Sequence, residues 1–169
     1  PAMGVADLAD YPWDAVAPYA ERARVHPGGI VDLSIGSPVD PTPPVVAQAL
    51  AGATDAHAYP QTVGTAALRG AIPDWYARRR GVPGLTPDHV LPTIGSKELV
   101  AWLPILLGLG PGDVVAFPRV AYPTYDVGAR LAGATPVAVD ALTALGPPTA
   151  ATTPKLLWLN TPGNPTGKV

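Results

Sequence analysis

Residues 113–139 read DVVAFPRVAYPTYDVGARLAGATPVAV, and the fold turns on how this stretch is parsed. Asp113–Phe117 is short, apolar and rich in valine, which predicts a strand. Thr124–Leu131 predicts a helix and Thr135–Val139 a second strand. The same alternation extends outward. Downstream, Lys155–Leu159 predicts a further strand that ends at Asn160-Thr161-Pro162. Upstream, Val90–Thr93 predicts a short strand, and Gly95-Ser96 opens a helix running to about Leu107. Strands alternating with helices predict an α/β fold with a largely parallel sheet covered on both faces. The helix from Ser96 is apolar nearly all round, as expected of one buried against that sheet.

Toward the N-terminus the pattern is more helical. Trp13–Val25 predicts a helix closed by His26-Pro27-Gly28-Gly29. Ile30–Ile35 predicts a strand that enters a turn at Gly36-Ser37-Pro38. Thr42 is placed to cap a helix with Pro43 at its first position, continuing to about Ala51. After a loop around Tyr59-Pro60-Gln61, a helix from about Thr65 to Arg80 carries Leu68, Ile72, Trp75 and Tyr76 on one face, and Pro73 can kink it.

Composition narrows the function. The chain has 169 residues, 47% of them hydrophobic and 14% charged, which suits one globular domain with a substantial core and argues against disorder. A formal net charge of −2 gives no reason to expect a nucleic-acid partner or an acidic membrane surface. The absence of cysteine excludes disulfides, thiolate catalysis and cysteine-ligated metals. His26, His57 and His89 lack metal-ligand spacing, so no metal site is expected. The longest apolar run, Leu99–Leu109, is too short to span a bilayer and contains Pro104. No basic-then-apolar segment opens the chain, and a cytoplasmic location is expected. The 23 prolines fall in scattered turns without a repeat period. Gly108-Leu109-Gly110-Pro111-Gly112 follows a helix and precedes a strand, the reverse of a dinucleotide-binding loop, and is expected to be a helix C-cap and turn.

Ligands of open α/β sheets bind at the carboxyl ends of strands, and three such ends carry unusual residues. Gly95-Ser96-Lys97 joins a strand to a helix N-terminus, whose free N–H groups and dipole suit a phosphate. An ordinary helix start reads the same way. Tyr122-Pro123-Thr124-Tyr125 offers rings that could stack on a flat ligand or pack the next helix on the sheet. Asn164-Pro165-Thr166-Gly167 offers an amide to a ligand, or is a plain turn.

These three segments occur in the order found in class I/II aminotransferases of the pyridoxal 5′-phosphate (PLP) fold type I. Leu33-Ser34-Ile35-Gly36-Ser37-Pro38 resembles the family's early glycine turn. Tyr59-Pro60-Gln61-Thr62-Val63-Gly64 with Leu68-Arg69 resembles its tyrosine-to-glycine-to-Leu-Arg signature. The resemblance spans essentially the whole chain. It implies part of a three-layer α/β/α large domain with a mostly parallel sheet. Residues 1–35 would form an N-terminal arm and the start of a small domain, and 36–169 the first part of the PLP-binding domain. It implies that Gly95, Ser96 and Lys97 hold the cofactor phosphate, that Tyr122 stacks on the pyridine ring, and that Asn164 bonds the phenolic oxygen near the substrate carboxylate. Gly36 and Ser37 would lie beside that carboxylate, with amino acids and 2-oxo acids as substrates. Tyr59 would reach the phosphate of the other subunit of a homodimer. Many relatives have proline where this chain has Val120, a departure that bears on the path of the Tyr122 loop. The Asn164–Pro165 bond is expected to be cis, which would aim Asn164 back over the strand end.

Within the family, Tyr11-Pro12-Trp13-Asp14, Gly36-Ser37-Pro38-Val39-Asp40-Pro41, Gly95-Ser96-Lys97-Glu98 and Ala121-Tyr122-Pro123-Thr124-Tyr125 are most similar to the actinobacterial N-succinyldiaminopimelate aminotransferase group. That would imply glutamate as donor and a succinylated amino-oxo-pimelate as acceptor, in lysine and diaminopimelate synthesis. In the family the Schiff-base lysine, the aspartate at the pyridine nitrogen and a carboxylate-binding arginine all follow the Asn-Pro-Thr-Gly segment. None of Lys97, Lys155 and Lys168 matches that lysine. The resemblance therefore implies an N-terminal portion of an enzyme, with no catalytic lysine of its own and inactive alone. A non-catalytic fragment, or a related aminotransferase acting on another amino acid, are the alternatives.

Overall fold

The computed structural model describes residues 8, 10–141, 145 and 153–169. It divides into two compact units, one of Tyr11–Pro92 and the other of Thr93–Val169 with Leu8 and Asp10.

The second unit holds the sheet. Its strands are β1 (Val114–Pro118), β2 (Thr135–Val139) and β3 (Leu156–Leu157), in the order β2-β1-β3 and all parallel. Val115 pairs with Pro136 on one side and Leu156 on the other. Val115, Ala116 and Phe117 are buried in succession, as in a central strand covered on both faces. The α/β class and the parallel sheet are those expected from the alternation of elements. β3 is shorter than the run Lys155–Leu159, although the Lys155 and Trp158 N–H groups still donate to Val114 and Ala116 at 2.8 and 2.9 Å. Val90–Thr93 is not a strand. Four residues form a strand only where a neighbour supplies the ladder, and none pairs with these among the described residues.

Two helices complete this unit, α4 (Ser96–Leu106) and α5 (Thr124–Leu131). α5 links β1 to β2 and lays Ala129 against Val115 and Ala134 in the core. α4 differs from expectation. It packs on α5 rather than on the strands, and Pro104 is its one buried residue. The contact is set by Gly128, where an added Cβ would stand 2.8 Å from the Val100 carbonyl oxygen and 3.0 Å from that of Ala101. Both helices end in Schellman turns. Gly108 (φ 72°) and Gly133 (φ 74°) let the N–H groups of Leu109 and Ala134 reach the Pro104 and Ala129 carbonyls at 3.0 Å. The Gly108–Gly112 run is thus the cap and turn expected.

Gly128 provides a test in which two effects oppose each other. Alanine is favoured over glycine inside a helix by about 1 kcal/mol. A Cβ driven into two backbone carbonyls, which cannot rotate away, costs about 1–3 kcal/mol. Gly128→Ala should therefore destabilise on balance, read as a lower urea midpoint. An unchanged or raised midpoint would show that α4 and α5 separate freely.

The first unit is helical: α1 (Ala17–Arg24), α2 (Pro44–Gly52), α3 (Ala66–Arg80) and a 3-10 turn at Pro87–His89. α1 begins four residues later than Trp13, after a series of turns. Pro43, not Thr42, is the N-cap of α2, and no side chain caps it. The cap of α3 is as expected, with the Leu68 N–H donating to Thr65 Oγ1 at 3.2 Å. α3 runs unbroken through Pro73, the one residue it buries, while Leu68, Trp75 and Tyr76 remain more than a third exposed. Ile30–Ile35 forms no strand, since this unit has no described strand to pair with it. Among the described residues no helix is long and apolar enough to cross a membrane.

Candidate functional site

The carboxyl ends of β1 and β3 lie at one edge of the parallel sheet, so Arg119–Tyr122 and Leu159–Asn164 leave from the same end. α4 brings a third segment there. α5 runs back from that end, because it joins two parallel strands by a short crossover. α4 lies beside α5 in the same direction. Gly128 meets Val100 and Ala101 midway, and beyond both helices Gly133 lies against Pro111, where an added Cβ would be 3.6 Å from Pro111 Cδ. With the C-termini side by side, the N-termini are side by side too. Gly95–Lys97, Tyr122 and Asn164, far apart in sequence, therefore converge on the carboxyl end of the sheet.

Gly95 is the N-cap of α4, at φ 86° and ψ 132°, a region that disfavours any side chain, and nothing lies within 4 Å of the position its Cβ would take. The first turn receives no side-chain cap, because Gly95 has no side chain to supply one. Its N–H groups, the Ser96 hydroxyl and the Lys97 ammonium make a donor set suited to a phosphate ester. Glu98, in the same turn, is the opposing charge.

The two tyrosines after β1 have separate roles, which the sequence could not distinguish. Tyr125 is buried, stacked on Trp158 at 5.1 Å and 18°, and tilted against Phe117 at 6.3 Å. Tyr122 is half-buried and stands perpendicular to Tyr125 at 6.0 Å. The packing alternative thus holds for Tyr125, whereas Tyr122 keeps surface open to a ligand. The indole N–H of Trp158 is buried without a partner among the described residues. Nothing in the sequence marked this.

Asn164 lies in a turn tied on both sides. Its N–H donates to Asn160 Oδ1 at 3.0 Å, the Gly163 N–H donates to the Lys168 carbonyl at 2.7 Å, and the Gly167 N–H donates to the Gly163 carbonyl at 2.6 Å. The Asn164–Pro165 bond is cis as expected, and Thr161–Pro162 is cis as well. Beside this edge Arg119 grips both carboxylate oxygens of Asp140 through Nε at 2.9 Å, joining the exits of β1 and β2.

Gly36, Ser37 and Tyr59 belong to the other unit and are exposed, Tyr59 to 98%. Near Gly36, the Ser34 hydroxyl and N–H both donate to Asp32 Oδ1 at 2.6 and 3.0 Å, which holds the Asp32 carboxyl below the usual range. The signature around Tyr59 also has a structural basis. A Cβ on Gly64 would lie 2.6 Å from Pro92 Cγ, and Arg69 binds the Pro87 carbonyl and Asp88 at 2.9 and 3.1 Å. No group of three or more residues able to hold a metal occurs among the described residues.

The chain is 54% identical over 163 residues to the 4-dedimethylamino-4-oxo-anhydrotetracycline transaminase OxyQ of Streptomyces rimosus, covering 96% of this chain and 44% of that protein. It is 56% identical over 164 residues to the probable aminotransferase Rv1178 of Mycobacterium tuberculosis, covering 97% and 38%. It is 41% identical to an LL-diaminopimelate aminotransferase of Gloeobacter violaceus, covering 83% and 38%. Among solved structures it superimposes on apo-BacF of Bacillus subtilis with a TM-score of 0.78 and 27% identity, over 94% of this chain and 43% of that one. The chain thus spans about two fifths of the length of these relatives. Residues 28–169 match the family of class I and II aminotransferases, and the chain belongs to that family.

Proposed function

We propose that this chain is the N-terminal part of a PLP-dependent transaminase, and that its cofactor site is the carboxyl end of the sheet. The observation that carries the reading is the glycine N-cap of α4, at φ 86° with nothing within 4 Å of its Cβ position, on the same end of the unit as Tyr122 and Asn164. The residues fit the cofactor's two ends. Gly95, Ser96 and Lys97 bind the phosphate, Tyr122 lies on the ring, and Asn164 donates to the phenolic oxygen. Gly36 and Ser37 lie beside the substrate carboxylate. In this reading residues 1–35 are the arm and start of the small domain, 36–169 the first part of the large domain, and the enzyme is cytoplasmic. Bound PLP supplies an aldehyde for the substrate amine and an electron sink for its α-carbon. This chain's own residues anchor and orient that group, and the lysine that moves the proton lies in the remainder of the enzyme. Titration of PLP into the full-length protein tests the reading. Ser96→Ala and Gly95→Val should each weaken binding, and unchanged affinity in both would overturn it.

For the substrate we keep a 2-oxo acid and amino acid pair, with glutamate as donor and N-succinylated amino-oxo-pimelate as acceptor. The similarity to a diaminopimelate aminotransferase supports it, whereas the similarity to OxyQ favours a ring-ketone acceptor. Comparing kcat/KM for the succinylated and free pimelate acceptors and for a cyclic ketone separates these. A tenfold preference for the ketone would reject the pimelate reading.

Tyr59 is proposed to reach the phosphate in a second subunit, so the enzyme is a homodimer with shared sites. Its exposure leaves it free for such a contact. Tyr59→Phe should weaken PLP binding by about 1.5–3 kcal/mol, the worth of a hydrogen bond to a charged group. An active monomer, or unchanged affinity, would refute the shared site.

A further inference from the structure

We infer that Asn160 is a positioning residue for Asn164. Asn160 lies two residues beyond Trp158, whose N–H still donates to Ala116 on the central strand at 2.9 Å. The backbone there is therefore tied to the sheet. The Asn160 side chain spans the turn and accepts the Asn164 N–H at 3.0 Å. The other half of the turn is a closed ring, from Gly163 N–H to the Lys168 carbonyl and from Gly167 N–H to the Gly163 carbonyl. That ring is compact: a Cβ on Gly163 would stand 2.8 Å from Thr166 Oγ1. The ring fixes the shape of the turn but, among the described residues, makes no backbone bond to the strand. Asn160 supplies the bond that ties Asn164 to the sheet edge, and its amide has the reach and the acceptor for it.

The inference rests on the reading that Asn164 donates to the phenolic oxygen of PLP. A donor held in place stabilises the form of the bound cofactor with more negative charge on that oxygen, so its loss moves the cofactor's titration to higher pH. The test uses the full-length protein and two readouts, the PLP dissociation constant and the pH midpoint of the bound cofactor's visible absorption. Asn160→Ala removes the acceptor and should weaken PLP about threefold to tenfold and raise the midpoint. Asn160→Asp keeps an acceptor oxygen at the same reach and should restore both. In the double variant with Asn164→Ala, loss of Asn160 should add almost nothing, because its effect passes through Asn164. Additive losses, or an aspartate variant no better than alanine, would overturn the positioning role. If Asn164→Ala alone leaves both readouts unchanged, the cofactor reading of Asn164 falls instead. If Asn164→Ala matters and Asn160→Ala does not, only the inference falls.

Discussion

Tyr125→Ala should cost about 3–5 kcal/mol of folding stability, while Tyr122→Ala, three residues away, should cost far less and instead weaken PLP binding. Tyr125 is 8% exposed and touches Trp158, Phe117 and Tyr122. Removing it leaves a hole between α5 and the strands, and takes away the stacking surface of a tryptophan whose N–H already lacks a partner among the described residues. Tyr122 is half-buried, so its truncation creates a smaller void. If its ring lies on the cofactor, Tyr122→Phe keeps the π surface and PLP affinity. Tyr122→Ala should then lose about 0.5–1.5 kcal/mol of affinity beyond the lost area. Melting the variants without cofactor and titrating PLP into the full-length forms checks both claims. A large loss of cofactor-free stability in Tyr122→Ala with intact PLP affinity would make Tyr122 a second packing residue.

The isolated 169-residue polypeptide should show no transamination with PLP, glutamate and an oxo-acid acceptor above the rate of free PLP. The effect is all-or-none because the reaction needs an amine that holds the cofactor and then carries the proton between substrate and cofactor carbons. In the proposed reading none of the three lysines is placed for it. The N–H of Lys155 donates to Val114 at the amino end of the sheet, opposite the proposed site. Lys97 is the second residue of α4, in the turn proposed to hold the phosphate, and Lys168 follows the Asn164 turn, its carbonyl accepting the Gly163 N–H. Turnover above background in the isolated chain would show that one of these lysines serves after all. Lys97→Ala, Lys155→Ala and Lys168→Ala would then identify it.

Elements whose signal lies within a dozen residues were legible in advance. α5 and β2 have the bounds expected, because valine-rich runs and the cap at Gly133 are local. The Thr65 cap and the turn after α4 were legible for the same reason. Ile30–Ile35 and Val90–Thr93 have the composition of strands but form none, because β-branched composition indicates fitness for a ladder, not the presence of a partner. The apolar circumference of α4 suggested a sheet beneath it. The seat is α5, since Gly128 lets the two backbones approach there.

The sequence by itself determined the parallel α/β plan and the three segments with unusual chemistry, because residue order and local spacing carry both, and the likeness of those segments to a known family pointed to the family. Only the tertiary structure decided how Gly95 comes to the end of the sheet that Tyr122 and Asn164 share, since no strand precedes it. That follows from the side-by-side direction of α4 and α5, which approach closely where a glycine in one helix meets carbonyls of the other. The tertiary structure also separated Tyr122 from Tyr125, and revealed the bond from Asn160 to Asn164. Burial and cross-turn hydrogen bonds are properties of what a residue faces, and a chain read in one dimension does not carry them.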